Sequence, residues 1–270
     1  MNDLDILCKP NQQKAVRRIV LEQGFTDYRE GRKHDSCSKP PFVLLELHRE
    51  MVAARSSFSR YYRNVWDMCT LREGCSYTYE MSITDAFVYN LVHLAGHLEE
   101  GGAGIRFVMD VYIYNQCRMV DRERLEQELK KLQLWELYQN MSCLAELWFS
   151  PEPPELEAPQ QKLMERLGAF VLSGRLFGTQ ENSQALKVQK EGRAQFLLKA
   201  FFPGYAEMRS MYPWLEKWPV LLPWSWLLRG VRSLLFRRGN IKSQLRTWKD
   251  GDISRGAQLR QLYRDIGFYN

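Results

Sequence analysis

Asp3-Leu4-Asp5-Ile6-Leu7-Cys8 opens the chain with acids and apolar residues in alternation. On a strand, alternate side chains project to opposite faces, so Asp3 and Asp5 share one face while Leu4 and Ile6 take the other. Pro10 ends the run, and Ala15, Val16, Ile19 and Val20 then follow a helical spacing that Gly24 closes. The chain therefore begins as a strand followed by a helix. A second strand is expected at Phe42-Val43-Leu44-Leu45-Glu46-Leu47, introduced by Pro40-Pro41 and apolar enough to be buried on both faces. Residues 25–30 add a weaker third strand.

Beyond residue 55 the periodicity turns helical. Helices are expected near 58–68, 83–99, 104–117, 121–132 and 133–149, with Asp121 as the N-cap of the fourth. Ser150-Pro151-Glu152-Pro153-Pro154 interrupts the run, and further helices follow near 159–174, 184–201, 224–237 and 240–249. The fold class is α+β and mainly helical, a small N-terminal mixed sheet followed by a multi-helix region. Three segments result: an α/β portion over 1–68, a helical region over 69–150, and a basic C-terminal helical region over 151–270.

Composition narrows the class. The chain has 270 residues, and 45% hydrophobic with 26% charged residues marks it as globular. Its first residues are acidic, unlike a secretory signal, and its six cysteines form no Cys-x-x-Cys pair. Reduced thiols in a cytoplasm are the plain expectation. The net charge of +6 is uneven: residues 185–270 hold sixteen Lys and Arg against six Asp and Glu. Within them, Trp218–Phe236 is strongly apolar but contains Arg229 and Arg232. Placing each arginine at a bilayer centre would cost roughly 2.5 to 3.5 kcal/mol, which argues against a membrane span. Arg229, Arg232, Arg237 and Arg238 beside Trp224 and Trp226 instead give a basic helix face. Such a face is either simply solvated or suited to an anionic membrane surface, with nucleic acid a weaker alternative.

The candidate chemistry lies in the acids. Asp3 and Asp5 side by side repel unless a cation joins them, and Mg²⁺ is a hard ion held by carboxylates and substrate phosphates. The bland alternative is two acids on a solvated edge. Glu46 lies near the end of an apolar strand, where a carboxylate needs a partner. If that strand lies beside the first, Asp3, Asp5 and Glu46 converge into a cluster able to hold two metals. Otherwise Glu46 is a surface acid at a strand end. His93 and His97 share a helix face at i, i+4, but Leu94-Ala95-Gly96 between them lacks the glutamate of a zinc protease. They are either hydrogen-bonded structural histidines, with Asp110 orienting one, or contacts to a phosphate. His48 is expected to support the acids from behind.

These blocks together resemble a known family. Met1 to Leu7, His34-Asp35, Lys39-Pro40-Pro41, Glu46-Leu47-His48-Arg49, His93-Leu94-Ala95-Gly96-His97, Gly104-Ile105-Arg106 and Asp110 are similar in order and spacing to the uncharacterised nucleotidyltransferase family of the polymerase-beta-like superfamily. The likeness covers residues 1–150 and continues loosely through Phe202-Pro203, Tyr212-Pro213, Leu222-Pro223 and Arg229. It implies that Asp3 and Asp5 are the paired metal-binding acids and Glu46 the third carboxylate and general base. It further implies a nucleoside triphosphate substrate, two Mg²⁺ ions, and attack of an acceptor hydroxyl on the α-phosphate with release of pyrophosphate. His48, His93, His97, Arg106 and Asp110 are the implied nucleotide-contacting set. Residues 1–68 would then form a partial nucleotidyltransferase core, and 69–150 would complete its site. In the superfamily a glycine-containing phosphate turn precedes the Asp pair, so the resemblance also implies a segment upstream of Met1. Gly96 stands where the family usually has a lysine. A binding protein that keeps the acidic pocket without catalysis is the second reading.

Overall fold

The computed structural model describes residues 4–31, 34–41, 43–53, 56–174, 180–191, 201–236 and 253–268. The chain divides into two compact units, Met1–Ala86 and Phe87–Asn270.

In the first unit, β1 (Leu4–Leu7) leads through a turn begun by Pro10 into α1 (Gln13–Glu22). Three strands follow: β2 (Thr26–Arg29), β3 (His34–Lys39) and β4 (Val43–His48). They form one sheet in the order β1-β4-β3-β2, with β1 parallel to β4 and the other pairs antiparallel. The sheet is mixed because a parallel pair needs a crossover, which the segment containing α1 supplies, whereas β3 and β4 are joined by the tight Pro40-Pro41 turn. Cys8, Val20, Cys37, Leu45 and Leu47 form the core here, with Val16, Phe25 and Tyr28 packed against it.

Two expectations for this unit are corrected. Instead of being buried on both faces, β4 alternates: Leu45 and Leu47 are 2% and 1% exposed, while Leu44 is 37% exposed. Antiparallel pairing lets one face stay open, and that face carries Glu46 and His48. The helix expected over 58–68 is instead two short 3-10 turns, Ser57–Arg60 and Val65–Met68. Phe58, Tyr62 and Val65 are buried at helical spacing, which is why the pattern misleads. A hairpin follows, β5 (Cys69–Leu71) with β6 (Tyr79–Met81), whose loop contains Gly74 at φ +73°.

Helices make up the second unit. Most of α2 (Ile83–Glu99) belongs to it, followed by α3 (Ile105–Gln116), α4 (Arg122–Lys131) and α5 (Trp135–Phe149). Asp121 caps α4 as expected, accepting from the Arg124 backbone N–H at 3.0 Å. Then come α6 (Ala158–Ser173), α7 (Gln180–Glu191), α8 (Tyr205–Met211), α9 (Leu222–Phe236) and α10 (Ile253–Asp265). The helix expected over 240–249 and the end of that over 184–201 lie outside the described residues. Phe87, Leu91, Leu94 and Leu98 bury one stripe of α2 at three- and four-residue spacing. Tyr263 of α10 is fully buried, and its hydroxyl donates to the Leu98 carbonyl at 2.9 Å. The fold is thus α+β and mainly helical, as expected. Among the described residues no helix is long and apolar enough to cross a membrane.

Candidate active site

Register assembles the site. β1 and β4 run parallel with Asp5 opposite Glu46, and β3 and β4 run antiparallel with His34 opposite His48. Since side chains alternate along each strand, Asp5, Glu46, His48 and His34 all project from the face opposite the α1 core. His48 Nε2 lies 3.0 Å from Asp5 Oδ1 and 3.4 Å from Glu46 Oε2. His34 Nε2 approaches the same Glu46 oxygen at 3.2 Å, and the two imidazole rings stand 4.8 Å apart. Glu46 is largely shielded and Asp5 is open to solvent, with side-chain exposures of 20% and 60%. Asp3 lies outside the described residues.

The opposite face holds this arrangement in place. Asp35, next to His34, is only 3% exposed. Its carboxylate accepts from Arg49 Nη2 at 2.5 Å, Tyr28 Oη at 2.7 Å and the Gly31 backbone N–H at 3.2 Å. Burial and the adjacent Asp35 carboxylate push the Tyr28 phenol well above its usual range. Arg49 follows His48 in sequence, so the Asp35–Arg49 pair ties the strands together at the point where the histidines meet. A buried carboxylate with this many donors is satisfied, and it fixes the β3–β4 register.

Sequence reasoning misses His34. Its signal is the alternation His34-x-Ser36-x-Ser38, but a polar run containing a buried acid does not read as a strand. His48, expected to support the acids, lies against both of them. Asp5 and Glu46 suit Mg²⁺, since both offer hard carboxylate oxygens side by side; the imidazoles are a poorer match to that ion.

The second unit carries the other expected residues. His93 and His97 lie on α2 with their Nε2 atoms 3.1 Å apart, and both rings meet Phe107 of α3. Burial lowers the His97 pKa to about 4, assisted by the charges of His93 and Arg106. Arg106 is thus close enough to be felt electrostatically. Asp110 accepts from Asn90 Nδ2 at 3.4 Å.

A family model described as an uncharacterised nucleotidyltransferase matches residues 1–150, more than half of the chain. Neither the curated proteins nor the solved structures offer a match. The matched span holds every site residue named above, and the chain belongs to this family of uncharacterised nucleotidyltransferases.

Proposed function

We propose that the chain transfers a nucleotidyl group from a nucleoside triphosphate to an acceptor hydroxyl, with Mg²⁺ held by Asp5 and Glu46 and, on family membership, by Asp3. The observation that carries this reading is the pairing of Asp5 with Glu46 on one sheet face. Mg²⁺ bound there would stabilise the attacking and leaving oxygens of an in-line displacement. Glu46, oriented by two imidazoles on one of its oxygens, is suited to accept the proton of the attacking hydroxyl. His93, His97 and Arg106 are the proposed phosphate contacts and Asp110 their support, an assignment that stands on family membership. The free state of the described cysteines supports a cytoplasmic setting.

The test is a thermal-shift screen of the four ribonucleoside triphosphates with Mg²⁺, coupled to detection of released pyrophosphate. A nucleotide that binds the folded state raises the melting temperature. Asp5→Asn and Glu46→Gln should lose the Mg²⁺-dependent part of that rise while staying folded. An unchanged Mg²⁺ response in both variants would overturn the reading; binding without pyrophosphate release would leave a non-catalytic nucleotide-binding protein.

A second property is proposed from α9. Trp224, Leu227, Leu228 and Val231 are exposed at helical spacing, and Trp218 and Val220 just before the helix are exposed too. The exposed stripe is apolar, in a segment rich in Lys and Arg, which suits shallow adsorption to an anionic membrane surface.

A further inference from the structure

Mg²⁺ binding would use the two carboxylates and leave the two imidazoles only the part of orienting Glu46. Among the described residues, His34, Glu46 and His48 are the one set of three potential ligands whose donor atoms all lie within 4.8 Å of one another. They sit on adjacent strands at fixed register, so the triangle is built by the sheet rather than by loop conformation. Rigid elements hold a ligand set better than loops do. Ligands about 2.0 to 2.2 Å from a tetrahedral ion stand roughly 3.3 to 3.6 Å from one another. The His34–Glu46 and His48–Glu46 separations of 3.2 and 3.4 Å are close to that edge length. Asp5, 3.0 Å from the His48 nitrogen, stands next to the triangle and offers a further oxygen.

Donor chemistry selects the ion. Imidazole suits Zn²⁺ and its neighbours in the transition series, whereas Mg²⁺ takes oxygen. A neutral imidazole carries its proton on one ring nitrogen and a lone pair on the other, so His34 and His48 protonated at Nδ1 each present Nε2 to the ion. We propose that His34, Glu46 and His48 form a seat for a Zn²⁺-class divalent ion on this sheet face. The proposal rests on the nucleotidyl-transfer reading only in sharing Glu46, and it goes beyond it in assigning a second kind of metal and both imidazoles.

The shared carboxylate couples the two ions. Zn²⁺ and Mg²⁺ meet at Glu46, so a bound Zn²⁺ either joins Mg²⁺ as a neighbour or competes with it. Either way, the site binds Zn²⁺-class ions without nucleotide, since all three ligands come from the protein.

The experiment titrates the full metal-free chain with Co²⁺, whose visible absorption is strong in four-coordinate sites and weak in six-coordinate ones. One equivalent should bind with the strong absorption, and Zn²⁺ should displace it. His34→Gln and His48→Gln should each weaken Co²⁺ binding at least about tenfold, since even outer contacts to metal ligands contribute that much. His93→Gln should leave it unchanged. Because a variant at the sheet can misfold, the wild-type chain provides a second measurement: Co²⁺ should give the ring protons of His34 and His48 the large contact shifts of directly bound imidazoles, which those of His93 and His97 should lack. Weak six-coordinate absorption, or Co²⁺ held by His93 and His97, would overturn the proposal. Failure of the nucleotidyl-transfer reading shows separately, in the response of Asp5→Asn to nucleotide and Mg²⁺.

Discussion

Asp35 shows how a single residue can act on a site it does not line. It projects away from Glu46 into the α1 face, yet its pair with Arg49 spans the two strands next to His34 and His48. Removing one partner of a buried pair leaves the other uncompensated and costs about 3 to 5 kcal/mol. Since Arg49 keeps 28% of its side chain in solvent, Asp35→Ala should destabilise by about 3 kcal/mol, measured by urea denaturation. A loss below about 1 kcal/mol, the scale of a single neutral hydrogen bond, would show that the pair does not hold the register. His97 makes a prediction in pH. Its folded pKa of about 4 lies below the ordinary 6.5, so between these values the unfolded chain takes up a proton that the folded chain refuses. The stability due to this group is fully present above about pH 6.5 and is lost as pH falls toward 4. The melting temperature should therefore fall from pH 7 to pH 5 by less in His97→Gln than in the wild type; equal falls would contradict the assignment.

Among the elements, α7 and α10 illustrate what a glycine does inside a helix. A Cβ on Gly256 of α10 would stand 2.7 Å from the Ala185 carbonyl oxygen of α7, closer than real contacts allow. Beside this approach, Arg255 Nε donates to the buried Asn182 at 2.9 Å, and Leu259, Leu262 and Tyr263 are buried along α10. Gly256→Ala should cost about 1 to 3 kcal/mol through overpacking. At Gly230, inside α9, an added Cβ would meet nothing within 4 Å, so Gly230→Ala should instead stabilise by roughly 0.5 to 1 kcal/mol through helix propensity. Paired denaturation curves check both, and a destabilising Gly230→Ala would mean that this face of α9 is covered. The sequence reading places no helix after 249: Leu259, Leu262, Tyr263 and Ile266 recur at i, i+3, i+4 and i+7, but Gly256 in the first turn reads as a breaker.

At the scale of the whole molecule, basic charge and exposed apolar residues gather toward the C-terminal end of the sequence, while the cluster of His34, Glu46 and His48 lies in the first unit. Adsorption to anionic vesicles through α9 should be strong at low salt and persist in part at physiological salt, because burial of Trp224 and Leu227 is not screened. Trp224→Ser combined with Leu227→Ser should abolish co-sedimentation; retention by this variant would assign the binding to charge alone. Local pattern suffices to read the strands around Asp5 and Glu46, the helices from Ile83 to Phe149 to within about two residues, and the family blocks that carry the acids. Those features are set by side-chain periods of 2 and 3.6 and by capping residues such as Asp121, all of which act within a few residues of the chain. Folding in three dimensions is what places β1 beside β4 with Asp5 facing Glu46, and what makes the polar run His34–Lys39 a central strand. It also sets His34 against Glu46. Strand adjacency and register arise from pairing between distant segments, and a strand held by neighbours on both sides and by a buried ion pair needs no apolar alternation of its own.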